Sequence, residues 1–130
     1  MQTILNGLIF ILIADAWLYW THRISHKFFP KQHALHHKYK FKTVFHSVDH
    51  IFNWGIFPFG WLVGFTTTEM LPVIVWGIMF TFISHREKKN YKAKPGIIMR
   101  TVDHESHHDS YTKNYGVLFT LWDRTMGTYI

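Results

Sequence analysis

The sequence predicts an all-α integral membrane protein with about three hydrophobic helices and a cytosolic, histidine-rich helical cap. The apolar residues fall into two long runs, and basic residues and histidines fill the stretches between and after them. At 130 residues we expect a single domain, residues 1–130. There is no cysteine in these residues, which excludes disulfides, thiolate zinc sites and iron–sulfur ligation by them.

The first apolar run, residues 3–22, predicts one long helix. It contains a single charge, Asp15, and is near the length of about 20 residues that a membrane-spanning helix needs. A cleaved signal peptide is the alternative. The run has neither a basic segment in front of it nor a small-residue cleavage site behind it, which disfavours that alternative.

The second apolar run, residues 51–84, predicts a helical hairpin. Its 34 residues are long for one crossing, and its one charge, Glu69, lies near the middle. We expect helices at 51–68 and 70–84 with a turn around TTTEMLP. Both arms are short for a full crossing, so a tilted or re-entrant hairpin stays an alternative.

Three residues of the first arm have predicted backbone roles. Gly60 and Gly64 are four residues apart and would allow the two arms to approach closely. Pro58 would kink the first arm, because proline cannot donate a backbone hydrogen bond and its ring clashes with the preceding turn.

Charge asymmetry assigns the sides of the membrane. All 14 Lys and Arg residues lie in the two polar stretches, 23–50 and 85–130, which share one side if the hairpin goes out and returns. The positive-inside rule makes that side cytosolic. The net charge of +6 therefore has a membrane explanation and does not require nucleic acid. A soluble basic protein is the alternative, but it would have to bury a 34-residue apolar run in a very small domain.

Histidines form three clusters on the cytosolic side. His22 and His26 are four residues apart, and H-x-x-H-H occurs at 33–37 and again at 104–108. Residues three and four apart share a helix face, so we expect each H-x-x-H-H to point its imidazoles at one locus. Imidazole binds zinc, copper, iron and nickel, and eight nitrogens suit two metals better than one tetrahedral zinc. Two metals beneath an apolar helix cluster favour redox chemistry on a lipid.

Asp15, Tyr19, His22 and His26 share one face of the first predicted helix, at i, i+4, i+7 and i+11. A carboxylate inside a membrane is costly and is usually functional. We therefore expect Asp15 to accept a ring N–H and orient a histidine from behind.

Asp103 and Asp109 flank the last histidine cluster. They are candidates for the same orienting role, since ligating imidazoles commonly donate their second N–H to a carboxylate. Solvated surface acids are the alternative for both residues.

Three stretches, DAWLYWTHRISH, HALHH and HESHHDSYTKNYGVLFTLWDRTMGT, together resemble the fatty acid hydroxylase/sterol desaturase superfamily of membrane di-iron oxygenases. The marks of that family are an aspartate before Y-W-x-H-R-x-x-H, two H-x-x-H-H boxes, and N-Y-G and W-D-R-x-x-G-T after the last box. The match runs from about Asp15 to Thr128. Three boxes in this order with that tail are far more specific than one box.

The resemblance implies an activity and its requirements. Two iron ions form the metal centre, which zinc can occupy in a purified sample, and dioxygen is the co-substrate. A b-type cytochrome or a reductase supplies electrons from outside, and the product is a hydroxylated or desaturated fatty acyl or sterol lipid. The implied location is the endoplasmic reticulum in a eukaryote or the inner membrane in a bacterium, with the metal centre facing the cytosol.

The resemblance also implies the ligands. The implied metal ligands are His22, His26, His33, His36, His37, His85, His104, His107 and His108. His85 matches the further histidine that the family carries between its second and third boxes. His46 and His50, in VFHSVDH, fall where relatives often carry histidine before proline, and the alternative is that they line the entrance to the site.

Two expectations concern partner proteins. Relatives usually carry a further hydrophobic hairpin before the first box, so a homo- or hetero-oligomeric partner would cover an unpaired helix here. We also expect the basic cytosolic face to dock the electron donor, with a surface facing lipid headgroups as the alternative. Two other functions stay open: a metal-binding or carrier membrane protein, and an inactive relative that serves as a subunit of a lipid-modifying complex.

Overall fold

The computed structural model describes residues 1–39, 48–84, 96–98 and 101–130, and these ranges contain helices and connecting segments. The helices are α1 (Gln2–Phe28), α2 (Pro30–Tyr39), α3 (Val48–Leu62), α4 (Thr67–Ser84), α5 (Thr101–Ser110) and α6 (Leu121–Thr125). Within the described ranges no β-strand forms, and pairing is limited to one bridge between Ile98 and Phe119. The all-α prediction is confirmed for this part of the chain.

Helix α1 is long because residues 2–28 contain no proline and a single glycine. Pro30 then ends it, since the residue before a proline disfavours the helical conformation. Phe29 has left that conformation, with φ −128° and ψ 45°. At 1.5 Å per residue, the 27 residues extend about 40 Å. The helix runs six residues past its predicted end at residue 22 and therefore carries the first histidine pair.

One face of α1 is buried and the opposite face is apolar and exposed. The buried residues recur every three or four positions: Gly7, Phe10, Ala14, Asp15, Leu18, Tyr19, His22 and Ser25. The exposed face includes Ile4, Leu5, Leu8 and Leu12. Only 22% of the most apolar 18-residue stretch is buried, whereas a core helix of a soluble protein is mostly buried.

By length and composition, α1 is the one helix in the described part of the chain that could cross a membrane. Helix α3 has 15 residues, and the apolar part of α4, Thr67–Phe80, is also shorter than a full span. The predicted number of three crossings is therefore not confirmed. The long first helix and the hairpin are present.

The hairpin turns earlier than its sequence predicts. Helix α3 ends at Leu62, and Gly64 follows in the left-handed conformation, φ 98°, that commonly ends a helix. Thr66 and Glu69 then form a capping box: the Thr66 N–H donates to the Glu69 carboxylate (2.8 Å), and the Glu69 N–H donates to the Thr66 hydroxyl (3.3 Å). Most of TTTEMLP thus belongs to the first turn of α4 rather than to the turn.

Glu69 also joins the hairpin to α1, because its carboxylate accepts a hydrogen bond from the Asn6 amide at 2.7 Å. The core lies between α1 and the hairpin. It consists of Phe10, Ala14, Leu18, Ile56, Met70, Val73 and Leu118. This packing fixes the direction of α1 and so the position of the histidines at its far end.

Gly60 is required by this packing, whereas Gly64 is required by the turn. A Cβ atom on Gly60 would lie 2.6 Å from Met70 Sδ and 2.7 Å from Phe10 Cε2, closer than real contacts allow. A Cβ on Gly64 would meet nothing within 4 Å. The predicted close approach is therefore found at Gly60 only.

We expect Gly60→Ala to lower the free energy of unfolding by about 1–3 kcal/mol, the usual effect of overpacking. Gly77→Ala on α4 is the matched control, because its Cβ would meet nothing within 4 Å. Alanine favours the helix over glycine by about 1 kcal/mol, so the control should melt at or above the wild-type temperature. Thermal unfolding in detergent, followed by circular dichroism, measures both. A Gly60→Ala protein as stable as the wild type would contradict the packing described.

Candidate metal centre

Eight histidines from α1, α2 and α5 gather in two adjacent groups. In each group, the candidate ligand atoms lie within 4.8 Å of one another. The first group is His22, His26, His33, His37 and His107, and the second is His36, His104 and His108. The rings of His37 and His108, one from each group, have centroids 4.5 Å apart. The structure thus brings together residues from all three sequence clusters.

Each H-x-x-H-H segment contributes to both groups, which differs from the single locus expected from helix periodicity. On α2, His33 and His37 enter the first group with their Nε2 atoms 2.8 Å apart, while His36 enters the second. On α5, His107 belongs to the first group. His104 and His108, one helical turn from each other, belong to the second group, with their Nε2 atoms 3.3 Å apart. The i and i+4 imidazoles stack along the helix, and the i+3 imidazole points to the side of them.

Protein oxygens hold the Nδ1 side of three imidazoles in the first group. His22 Nδ1 donates to the Tyr115 carbonyl (2.8 Å), and His107 Nδ1 donates to the Lys113 carbonyl (2.6 Å). His33 Nδ1 lies 2.8 Å from an Asp49 carboxylate oxygen. Since a carbonyl only accepts, His22 Nδ1 and His107 Nδ1 carry the proton, which leaves the Nε2 lone pairs of these two rings available.

Burial keeps imidazoles of both groups neutral. Burial and then the neighbouring His33 lower the pKa of His37 from 6.5 to about 4. Burial followed by adjacent imidazoles likewise lowers the pKa values of His104 and His107 well below the usual range. At neutral pH these nitrogens therefore have free lone pairs, the form in which histidine binds a metal.

The distances between histidine nitrogens also fit a bound metal ion. Two nitrogens bound to one zinc-sized ion at about 2.0–2.1 Å lie roughly 3 Å apart. His26 and His107 approach with Nε2 atoms 3.0 Å apart. In addition, His22 Nε2 is buried and makes no hydrogen bond to the described residues, which costs about 1–3 kcal/mol unless something else satisfies it. A metal ion would satisfy it.

The loop 113–116 supplies two of the carbonyl oxygens, a role that the sequence did not predict. Its residue Asn114 has a left-handed backbone, φ 54°, which asparagine tolerates. The Asn114 amide donates to the Asp103 carbonyl (3.2 Å) and the Ser106 hydroxyl (2.8 Å) and so ties the loop to α5. The N-Y-G segment therefore positions histidines from α1 and α5 together.

Asp123, fully buried in α6, holds that loop. Its carboxylate accepts the backbone N–H groups of Tyr115 (2.9 Å) and Gly116 (2.8 Å) and the hydroxyl of Thr128 (2.7 Å). The N-Y-G and W-D-R-x-x-G-T segments are thus one hydrogen-bonded unit. Their co-occurrence in the sequence was the signal that could have indicated this contact.

Asp15 and Tyr19 lie on the buried face of α1, as expected, but neither hydrogen-bonds an imidazole among the described residues. One Asp15 oxygen accepts the backbone N–H of Phe119 (2.9 Å), and the other has no hydrogen-bond partner among the described residues. The Tyr19 hydroxyl pairs with the Thr128 hydroxyl (3.1 Å). Asp15 thus contacts the backbone at Phe119 in this structure, and its role in orienting a histidine stays a prediction.

The remaining candidates are distributed as follows. Asp103 is buried and Asp109 is exposed. His50 is half-buried with its ring centroid 6.4 Å from that of His36, and it belongs to neither group. His46 and His85 lie outside the described residues. Asp49, which contacts His33, was missed, because its role depends on the packing of α3 against α2.

An apolar cavity adjoins both groups, with α3 and α4 forming two of its walls. His22 and His33 of the first group and His36 and His104 of the second line one end. The apolar lining includes Ile56, Phe57, Val73, Trp76, Phe80 and Leu118. The cavity therefore connects the imidazoles to a space suited to hydrocarbon.

Curated relatives of the chain are sterol-modifying enzymes by name. A Delta(7)-sterol 5(6)-desaturase of Aspergillus fumigatus is 29% identical over 98% of this chain and 38% of its own length. A Delta(7)-sterol 5(6)-desaturase of Schizosaccharomyces pombe is 32% identical, over 89% and 41% respectively. Lathosterol oxidase of Rattus norvegicus is 30% identical, over 99% and 46%. The chain spans less than half the length of these relatives. No solved structure matches it.

The family comparison covers nearly all of the chain. The match to the model named Fatty acid hydroxylase runs over residues 7–128 and includes all three histidine clusters and the tail that holds the loop 113–116. The resemblance recognised in the sequence is thereby confirmed. This chain belongs to the fatty acid hydroxylase family.

Proposed function

We propose that this chain forms the metal-binding core of a membrane oxidoreductase that desaturates or hydroxylates a lipid, with a Delta(7)-sterol as the first substrate to test. The observation that carries the proposal is the convergence of eight imidazoles in two adjacent groups at one end of an apolar cavity. The names of the relatives add the sterol, since several are Delta(7)-sterol 5(6)-desaturases or lathosterol oxidases.

The two histidine groups would each hold one iron ion. The first offers five imidazoles and the second three, to which His85 is the proposed addition. When bound, the two ions would supply the activation of dioxygen that oxidation of an unreactive C–H bond requires. The donor set fits iron, because imidazole is a common iron ligand. The 130 residues contain no cysteine, so no thiolate competes for the metal.

The chain's own residues would perform the binding and positioning. The hydrocarbon of the substrate lies against the apolar cavity wall, which excludes water from the space beside the imidazoles. The carbonyls of Lys113 and Tyr115 and the carboxylate of Asp49 hold three rings in fixed orientations. This arrangement fixes the distance between the centre and the carbon that reacts, which decides whether an alcohol or an alkene is formed.

The reducing equivalents would come from a separate donor protein, a b-type cytochrome or reductase. Lys27, Lys31 and Lys38 are exposed at the end of α1 and on α2, beside the histidine groups. A cluster of positive charge there favours an acidic partner. With α1 in the bilayer, these lysines and the histidines lie on the cytosolic side by the positive-inside rule.

The proposal is tested in yeast cells that lack their own Delta(7)-sterol 5(6)-desaturase. Cells expressing the wild-type chain are expected to convert lathosterol to the product with a second double bond at C5–C6, detected by mass spectrometry. His107→Ala should reduce the product at least tenfold, because removal of a ligand disrupts the centre. Gln32→Ala, an exposed uncharged position on α2, is the control and should leave the product unchanged. Equal sterol profiles with wild type and His107→Ala would contradict the proposal.

The loop 113–116 gives a second prediction. Asp123→Asn replaces one acceptor oxygen by an NH₂ group, so the carboxamide cannot accept from both Tyr115 and Gly116. We expect the mutation to loosen the carbonyl that holds His22 and to weaken metal retention about 10- to 100-fold. Competition with a chelator measures retention. Gln32→Ala, an exposed change on α2, is the control and should retain metal like the wild type. Retention that is equal in all three proteins would show that the loop does not position the ligands.

A further inference from the structure

The cavity beside the histidine groups contains one polar amide, Asn53, that a plain hydrocarbon could not hydrogen-bond. Apart from the histidines and Asp49, its lining is apolar or aromatic with a single exception, the amide of Asn53. Asn53 lies on α3 three residues after His50 and four after Asp49, so all three share a helix face. The amide is therefore placed at the junction between the imidazole end and the apolar end.

Two other polar side chains in the lining, Asp49 and Trp76, already have protein partners. The Asp49 carboxylate pairs with His33 (2.8 Å), and the Trp76 indole donates to the Val117 carbonyl (3.1 Å). The Asn53 amide, although half-buried, makes no hydrogen bond to any residue that the structure describes. A lipid that displaced water from the cavity would leave this amide unsatisfied unless the lipid itself carried a polar group, and an unsatisfied amide costs binding energy.

The charges around the cavity restrict what that polar group can be. Its described lining includes no Lys or Arg, so a phosphate or carboxylate held at Asn53 would find no basic side chain away from the proposed iron ions. A neutral hydroxyl group needs no counter-charge, and it can both donate a hydrogen bond to an amide and accept one from it. The lining therefore suits a lipid with a hydroxyl near the carbons that react.

We propose that Asn53 is a specificity-determining residue that hydrogen-bonds the 3-hydroxyl group of a sterol substrate. The inference rests on the proposed function and adds the orientation of the substrate: the hydroxylated ring enters the cavity first. In a sterol, C5 is only two carbons from C3, so a hydroxyl held at Asn53 leaves the C5–C6 bond next to the imidazoles. The amide thus selects the hydroxylated lipid and sets which carbons face the centre.

Equilibrium sterol binding tests the inference without requiring oxidation. The purified chain in detergent is titrated with lathosterol and with its 3-deoxy analogue, and tryptophan fluorescence reports occupancy, because Trp54 and Trp76 line the cavity. The wild type is expected to bind lathosterol about tenfold more tightly than the analogue, the effect of one neutral hydrogen bond. Asn53→Leu, similar in size but without the amide, should bind the two sterols equally.

Two further variants make the result decisive. Asn53→Ala should also lose the preference, and it covers the case in which the leucine variant misfolds. Gln32→Leu removes an exposed amide on α2 and should keep the preference. The inference is overturned if the wild type shows no preference, if it binds neither sterol, or if the preference persists in the folded Asn53 variants.

Failure of this inference is distinguishable from failure of the proposed function. A chain that binds sterols with an Asn53-dependent preference but oxidises none would keep the inference and reject the oxidoreductase. A chain that oxidises lathosterol while Asn53→Leu retains the preference would keep the oxidoreductase and reject the role of Asn53.

Discussion

The arrangement depends on one constraint: eight imidazoles occupy a small, mostly buried volume. Protonated histidines would repel one another there, and neutral ones still require partners for their ring nitrogens. The Lys113 and Tyr115 carbonyls and the Asp49 carboxylate are the hydrogen-bond partners of the Nδ1 atoms of three rings. The inward Nε2 atoms remain, and the proposed metal ions are what would bind them. The rest of the fold serves to hold three separate segments at this point.

Each structural element contributes to that convergence. Packing of α1 against the hairpin through Gly60 directs the end of α1, and the break at Phe29 lets α2 begin beside it. Asp123 holds the loop 113–116 against α1 and α5. The same packing leaves the cavity between the hairpin and the centre. The same contacts therefore set the position of the imidazoles and of the cavity proposed to bind the lipid.

Local features of the fold and site could be predicted from sequence, and long-range ones could not. Histidine spacing and the N-Y-G and W-D-R-x-x-G-T segments identified the family and the histidine clusters. Thr66 and Glu69 match the T-x-x-E pattern of a capping box and form one in the structure. The start of α4 could therefore also have been predicted from the sequence. The division of each H-x-x-H-H between two groups depends on how α2 and α5 face each other. Partners such as Asp49 and Asp123, and the pairing of Asp15 with Phe119, depend on contacts that sequence spacing does not report.

The most direct measurement of the central claim is the metal content and ligand environment of the chain, purified from iron-supplemented cells. Elemental analysis and X-ray absorption spectroscopy together are expected to find about two iron ions per chain, bound by nitrogen and oxygen donors without sulfur. A chain that carries well under one metal ion, or that loses all its metal in a brief chelator wash while staying folded, would contradict the account.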